Sequence, residues 1–287
     1  MKKVNANEYA TKLRQAAPLP RDVIQKSRSF LRNAVLSVSS VVNQNSDPCF
    51  LRCLYCHYVF DDQTHDFERL IVRLKATGHF VDTDTCIQML QGKRQIDRRY
   101  YHLSFDDGFR NNFTNALPVL ISHKVPAIFF VPSSLIGASW SKTQSYCTST
   151  TGYNAAIEML KVEDLKEMLS LGYEIGSHTK THARFSEISH DARLLEDEVL
   201  GSRTELEAML NYECKYISWP YGKLTDADDI SLEMAKTAGY TACFGAYRGT
   251  VLPGQTDIFS IPRHHFEVHW PISHVVYFAR GNMEAKA

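Results

Sequence analysis

From Phe50 to Gly245 the sequence alternates short apolar runs with helix-like segments, and this alternation restricts the fold more than any other feature. Phe50–Val59 reads as a strand rich in aromatics, and Thr64–Thr77 as an amphipathic helix closed by Gly78. Tyr101–Phe105 is a strand running into Asp106-Asp107-Gly108; Phe113–His123 is a helix and Ala127–Val131 a buried strand. Helices are then expected at Val162–Leu171, Asp191–Leu210 and Asp228–Ala238, with strands at Glu174–Ser177, Tyr216–Trp219 and Thr241–Gly245. Strands separated by helices cannot pair as hairpins, so the pattern predicts an α/β fold with a parallel sheet, open or closed into a barrel. Residues 137–154, rich in Gly, Ser, Thr and Tyr, read as a long loop. There is no internal repeat.

The amino-terminal part differs. Residues 8–16 and 20–38 have helical periodicity, the second with an apolar stripe at Ile24, Leu31, Val35 and Val38, and a polar linker, Asn43–Pro48, follows. This divides the chain into a helical basic extension, 1–47, and a main domain, 48–287. Residues 1–45 carry Lys2, Lys3, Lys12, Arg14, Arg21, Lys26, Arg28 and Arg32 against Glu8 and Asp22, a net +6, which leaves the rest at −6. Three roles suit such an arm: packing on the main domain, an oligomer contact, or peripheral contact with an anionic membrane. The balanced total of 32 basic and 32 acidic side chains gives no electrostatic case for nucleic acid. Polar residues stand where a secretory signal would need its apolar stretch. Seven cysteines without repeated spacing suit a reducing compartment, so cytoplasmic residence is expected. Cys53 and Cys56 have the spacing of a metal or redox pair, but no second pair completes a zinc site, and structural thiols are the expectation.

Two places carry chemistry. In Ser104-Phe105-Asp106-Asp107-Gly108, adjacent carboxylates sit at the carboxyl end of a strand, where parallel sheets and barrels bind ligands. Such neighbours repel unless a cation or a shared proton relieves them, although Asp-Asp-Gly is also ordinary turn chemistry. In Ser177-His178-Thr179-Lys180-Thr181-His182, two histidines spaced i, i+4 would share one helix face and could grip one ion, although a surface turn would also accommodate them. Together, two His and one Asp leave an open position for water on Zn²⁺ or a similar metal, and a second Asp could act as general base.

With Trp219-Pro220-Tyr221-Gly222 as a third motif, the chain from about Phe50 to Phe266 resembles the polysaccharide deacetylase (NodB-homology) family. The resemblance implies a distorted (β/α)7 barrel, one divalent metal ion, commonly Zn²⁺, and hydrolysis of an N-acetyl group on an amino sugar. By position it implies that Asp106 is the base, that Asp107, His178 and His182 are the ligands, and that the Tyr221 N–H holds the oxyanion. Where the best-known members have an arginine, this chain has Ser218. It is similar to a variant branch reading aromatic-Pro-Tyr-Gly, in which an arginine arrives later, as in Pro262-Arg263. A base beside a metal must be kept charged and oriented, so the Arg263 guanidinium is expected to reach Asp106. The family's usual carboxy-terminal histidine acid has no recognisable counterpart. On an extended Arg263-His264-His265 stretch, Arg263 and His265 share a face, which favours His265 as the acid, then His264, then His57.

The amino sugar could be polymeric, lipid-linked or nucleotide-linked, and lack of export points to a cytoplasmic precursor of a surface polysaccharide. The alternatives are a non-sugar amide or ureide on the same fold, or a non-catalytic carbohydrate-binding protein, which would need neither a base nor a full ligand set. Trp140, Tyr146, Tyr153 and Trp219 suit sugar stacking or ordinary packing.

Overall fold

Strand β1, Phe50–Cys56, is buried at every position, as a strand must be when it is covered on both faces. Its side chains divide cleanly by parity. Phe50, Leu54 and Cys56 join the apolar layer under the outer helices, whereas Leu51 and Cys53 face inward. The computed structural model describes residues 8–17 and 49–282. Within them the strands are β2 (His79–Val81), β3 (Arg99–Phe105), β4 (Ile128–Val131), β5 (Glu174–Ser177), β6 (Tyr216–Ser218), β7 (Ala242–Phe244) and β8 (His264–His265). The sheet order is β7-β6-β5-β4-β3-β1-β8, every named pair is parallel, and β2 pairs with the amino-terminal half of β3.

The chain before β8 closes the cylinder. Ile261 bridges to Phe244 of β7, with Gly245 N donating to Ile261 O at 2.9 Å and Ile261 N to Cys243 O at 3.1 Å. A few residues on, His264 and His265 lie beside Leu54 and Tyr55 of β1. Seven staves and their outer helices make the distorted (β/α)7 barrel expected from the motifs. The helix Thr64–Lys75 shows why the alternation was readable, since Phe67, Leu70, Ile71 and Leu74 form one buried stripe on the barrel.

The expected elements of the main domain fall within a few residues of their observed limits except at residues 137–154, and β2 and two helices were not anticipated. Residues 137–154 are not a loop: Trp140–Ser145 is helical and Tyr146–Thr150 continues as a π-turn. Burial of Tyr146 and Cys147 against Phe109 outweighs the weak helix propensity of Ser and Thr. A helix at Thr83–Leu90 had no counterpart in the reading; Asp82 caps it by accepting from Thr85 N at 2.7 Å, and it closes the amino end of the barrel. A further helix, Ile272–Ala279, follows β8.

Residues 8–17 pack on the barrel. The expected helix 8–16 is one turn, Leu13–Ala16, because neighbouring backbone groups are used elsewhere. Ala10 N donates to Ala156 O at 2.7 Å, Asp61 N to Thr11 O at 3.0 Å and Asn154 N to Ala16 O at 2.9 Å. The expected helix 20–38 and the linker 43–48 lie outside the described residues, as does most of the arm on which the oligomer and membrane readings depend. Among the described residues no helix is long and apolar enough to cross a membrane.

Gly176 tests the inner packing. A Cβ there would lie 2.5 Å from the Phe130 ring, so Gly176→Ala should cost about 1–3 kcal/mol. A thermal unfolding midpoint equal to wild type would show that Phe130 can move aside.

Candidate active site

Three strand ends deliver the chemistry to one mouth of the barrel. At the end of β3 the ladder runs one residue further, with Asp106 N donating to Cys56 O at 3.1 Å. Asp107 and Gly108 then turn the chain away at φ 72° and 70°. Beyond β5, His178 N donates to Val131 O at 2.9 Å, and beyond β6, Trp219 N donates to Phe244 O at 3.1 Å. The cavity holds about 200 Å³ and is lined by Tyr55, His57, Asp106, Asp107, Thr150, Thr151, Tyr153, His178, His182, Trp219, Tyr221 and Ala246.

Asp107, His178 and His182 are each at most 6% exposed. Asp107 Oδ1 lies 3.6 Å from His178 Nε2 and 3.3 Å from His182 Nε2, and the three donor atoms fit around one point. They suit a divalent cation. His178 Nδ1 donates to the Ser218 carbonyl at 2.7 Å, which in the neutral imidazole leaves the Nε2 lone pair facing Asp107. Tyr146 donates its hydroxyl to Asp107 Oδ1 at 3.1 Å and packs edge-on to His182. Burial alone would raise the Asp107 carboxyl, but its contacts with His178 and His182 hold it well below the usual range.

The two histidines do not share a helix face, contrary to the expectation from their spacing. Thr179 and His182 have positive φ, 63° and 69°, and the backbone between them is irregular. The loop is held from outside: Glu198 accepts from Lys180 N, Thr181 N and the Thr181 hydroxyl at 3.0, 2.9 and 2.6 Å. Thr179 Oγ1 accepts from His182 N at 3.1 Å. The rings meet at 4.9 Å between centroids because of this fold, not because of helical spacing.

Arg263 reaches Asp106 as expected. Its NH1 and NH2 donate to Oδ1 and Oδ2 at 2.8 and 2.7 Å. It also donates to Ser104 Oγ at 2.9 Å, Ser218 Oγ at 2.6 Å and Gly245 O at 2.6 Å. A guanidinium has five N–H donors, so each has an acceptor in a place where Arg263 is 0% exposed. Ser218, which cannot replace an arginine, instead accepts from one. Burial pushes the Asp106 carboxyl up, but the Arg263 charge, aided by His178, outweighs it and leaves Asp106 below its ordinary value and ionised.

Tyr221 has φ 63°, and no hydrogen bond among the described residues takes up its N–H. Its ring lies under Arg184, 3.7 Å from the guanidinium carbon. The three histidine candidates for the acid separate. His57 lines the cavity, and Asn112 Nδ2 holds its carbonyl at 2.9 Å. His265 stands behind it, 5.1 Å between centroids, with Nε2 3.1 Å from Glu267 Oε1. His264 pairs on the outer face, where Nε2 approaches Gly249 O at 3.4 Å, and neither it nor His265 lines the cavity.

Of the four aromatics, Tyr146 and Trp219 are 5% and 1% exposed and cannot act as open stacking platforms. Trp140 donates to Glu8 O at 3.2 Å, and only Tyr153 and an edge of Trp219 reach the cavity. The reading also missed Ser104 and Glu198. The serine was visible in the motif, but nothing local marked Glu198.

The polysaccharide deacetylase family profile matches residues 93–243, just over half of the chain and all three motifs. The chain belongs to this family. A poly-β-1,6-N-acetyl-D-glucosamine N-deacetylase of Staphylococcus aureus (strain MRSA252) is 26% identical over 179 residues, 60% of this chain and 56% of the relative. The chain spans about half the length of the curated relatives it matches. IcaB from Ammonifex degensii superposes with a TM-score of 0.66 at 22% identity, covering 81% of this chain and 97% of that one. The Streptococcus pyogenes deacetylase PplD, solved with acetate, gives 0.63 at 18% identity, covering 80% and 97%. These superpositions establish the shared barrel.

Replacing Arg263 tests the buried pair. Arg263→Met leaves Asp106 buried without a counter-charge and should cost about 3–5 kcal/mol at pH 7. Because the folded carboxyl is depressed, the pair contributes above the unfolded pKa of about 4, and that contribution is lost as pH falls through the folded value. Urea unfolding should therefore show a deficit that narrows toward acid; one that widens would contradict the assignment.

Proposed function

We propose that this polysaccharide deacetylase hydrolyses the N-acetyl group of an amino-sugar residue, with Asp106 as base and with Asp107, His178 and His182 holding a divalent ion, zinc by its donor set. The observation that carries the reading is that a base locked in its charged form by Arg263 shares one cavity with that ligand set and with an amide N–H left for an oxyanion.

Bound there, the cation would supply Lewis-acid chemistry, polarising the acetamido carbonyl and making a water more acidic. The chain's own groups do the rest. Asp106 takes the proton of the attacking water, and Arg263 keeps the carboxylate charged and correctly turned for it. Tyr221 N–H donates to the oxygen on which charge develops. The amine must leave protonated. His57 is the donor that faces the cavity, with His265 and Glu267 behind it. One water adds across the amide, and acetate and a free amine result.

The volume of about 200 Å³ is below the 300–1,000 Å³ usual for whole small ligands. It suits the acetamido end of one sugar, with the remainder of the substrate outside, past half-exposed Tyr221. The Staphylococcus aureus relative names a polymer of β-1,6-linked N-acetylglucosamine, and such oligomers are the first substrates to try. An odd count of seven cysteines without repeated spacing favours a reducing compartment and hence a precursor rather than finished wall.

Acetate release from β-1,6- and β-1,4-linked N-acetylglucosamine oligomers tests the proposal. Asp106→Asn should lose about 10²–10⁴-fold in turnover while retaining its metal, and His178→Ala should lose the metal itself. Loss of metal in both variants, with activity restored by excess zinc, would overturn the division of roles.

A further inference from the structure

Below Arg263, on the same inward faces of the staves, three potential ligands meet at the closed end of the barrel. Cys53 and His102 are direct partners across β1 and β3, and Cys86 comes from the helix Thr83–Leu90 that covers this end. Cys53 and Cys86 are 0% exposed and His102 is 1% exposed. One donor atom from each lies within 4.8 Å of the other two. None of the three lines the cavity of the candidate active site.

The protonation of His102 follows from its partners. The Thr83 hydroxyl donates to Glu174 Oε2 at 2.6 Å. Its oxygen is therefore an acceptor toward His102 Nε2, 3.0 Å away, and Nε2 must carry the proton. That leaves Nδ1 with a bare lone pair, and Nδ1 is buried without a hydrogen-bond partner. A buried acceptor of this kind needs a donor or a cation. A carboxylate acting through a hydroxyl to fix the far nitrogen of a histidine is also the outer-shell arrangement that prepares an imidazole to bind metal. Phe244 stacks on the ring at 5.3 Å and 13°, which fixes its plane.

The sulfurs agree with this. Their separation is 3.7 Å, and two thiolates each about 2.3 Å from one zinc ion at the tetrahedral angle stand about 3.8 Å apart.

We propose that Cys53, Cys86 and His102 bind a second, structural ion, a thiophilic divalent cation such as Zn²⁺, that ties the helix Thr83–Leu90 to β1 and β3. Binding releases the two thiol protons, so two thiolates and one divalent ion are neutral together in a site that excludes solvent. The three protein donors would fill three of the four tetrahedral positions of a zinc ion. The Cys53-Leu54-Tyr55-Cys56 spacing is not the motif, because Cys56 lies on the opposite face of β1. The functional pair is long-range.

Cobalt distinguishes the two sites, because only this one contains sulfur. Metal-free, reduced protein titrated with Co²⁺ should take up two equivalents, one of them giving a near-ultraviolet sulfur-to-cobalt charge-transfer band. His178→Ala should lose one equivalent and keep the band. Cys53→Ser and Cys86→Ser should each abolish the band and keep the other equivalent. In His178→Ala, addition of Zn²⁺ should still raise the thermal midpoint. A wild-type protein that binds one equivalent without the band overturns the proposal, whether or not the cysteine variants fold. So does the recovery of five rather than seven titratable thiols from denatured, unreduced protein, which would make the pair a disulfide.

Discussion

The Arg263–Asp106 pair is the constraint around which the rest of the barrel is arranged. A fully buried guanidinium is tolerated only if all its donors are met. Here the acceptors come from β3 and the residue that follows it, from β6, and from the residue that follows β7. Arg263 is carried by the segment that bridges β7 to β1. Closing the barrel and pairing Asp106 are thus one event: the stave that completes the cylinder also delivers the cation that keeps Asp106 ionised. The same pair explains Ser218, whose hydroxyl accepts from Arg263, and Ser104, whose hydroxyl accepts from Arg263 while donating to Leu54 O at 3.2 Å.

Backbone strain is concentrated at the same mouth. Six described residues other than glycine have positive φ. Lys124 and Asn211 end helices, where a left-handed residue is ordinary. The other four, Asp107, Thr179, His182 and Tyr221, all lie at the candidate site. Each such conformation costs about 1–3 kcal/mol and persists only where the surroundings dictate it. Glu198 supplies that around Thr179 and His182, and Arg184, paired with Asp226 and lying on the Tyr221 ring, supplies it for the third motif. The strained turns bring Asp107, His182 and Tyr221 to the lining of the cavity, where regular strand ends would direct them elsewhere.

Much of this was legible in the sequence because it is local. Strand and helix periods, the two adjacent carboxylates and the histidine pair each occupy one short window. The Arg263 contact was legible for another reason: a buried base needs a cation, and Ser218 removed the nearest source. What was not legible is set by distant partners. The helix at 140–150 forms because Tyr146 and Cys147 find a buried site, against the preference of a Ser/Thr-rich stretch. His178 and His182 converge through left-handed turns secured by Glu198, sixteen residues past His182 in sequence. Period-2 alternation placed Arg263 and His265 on one face and His264 on the other, yet it could not show that His57 stands between His265 and the cavity.

The interior of the barrel is a stack of polar layers in an apolar cylinder, and their order has a physical logic. At the open mouth, oxygen and imidazole donors surround a space that substrate can enter. In the middle, Arg263 faces Asp106 on one side and lies over the Tyr55 and Phe130 rings at 4.5 and 5.3 Å. At the closed end are two thiols and an imidazole under the helix Thr83–Leu90. The cation of the central layer stabilises the Asp106 carboxylate above it, which it grips with two hydrogen bonds. Screening by water is weak at such depth, so removing the guanidinium would leave that carboxylate without its counter-charge. The residue that completes the cylinder is therefore also the one that balances the buried charge of Asp106.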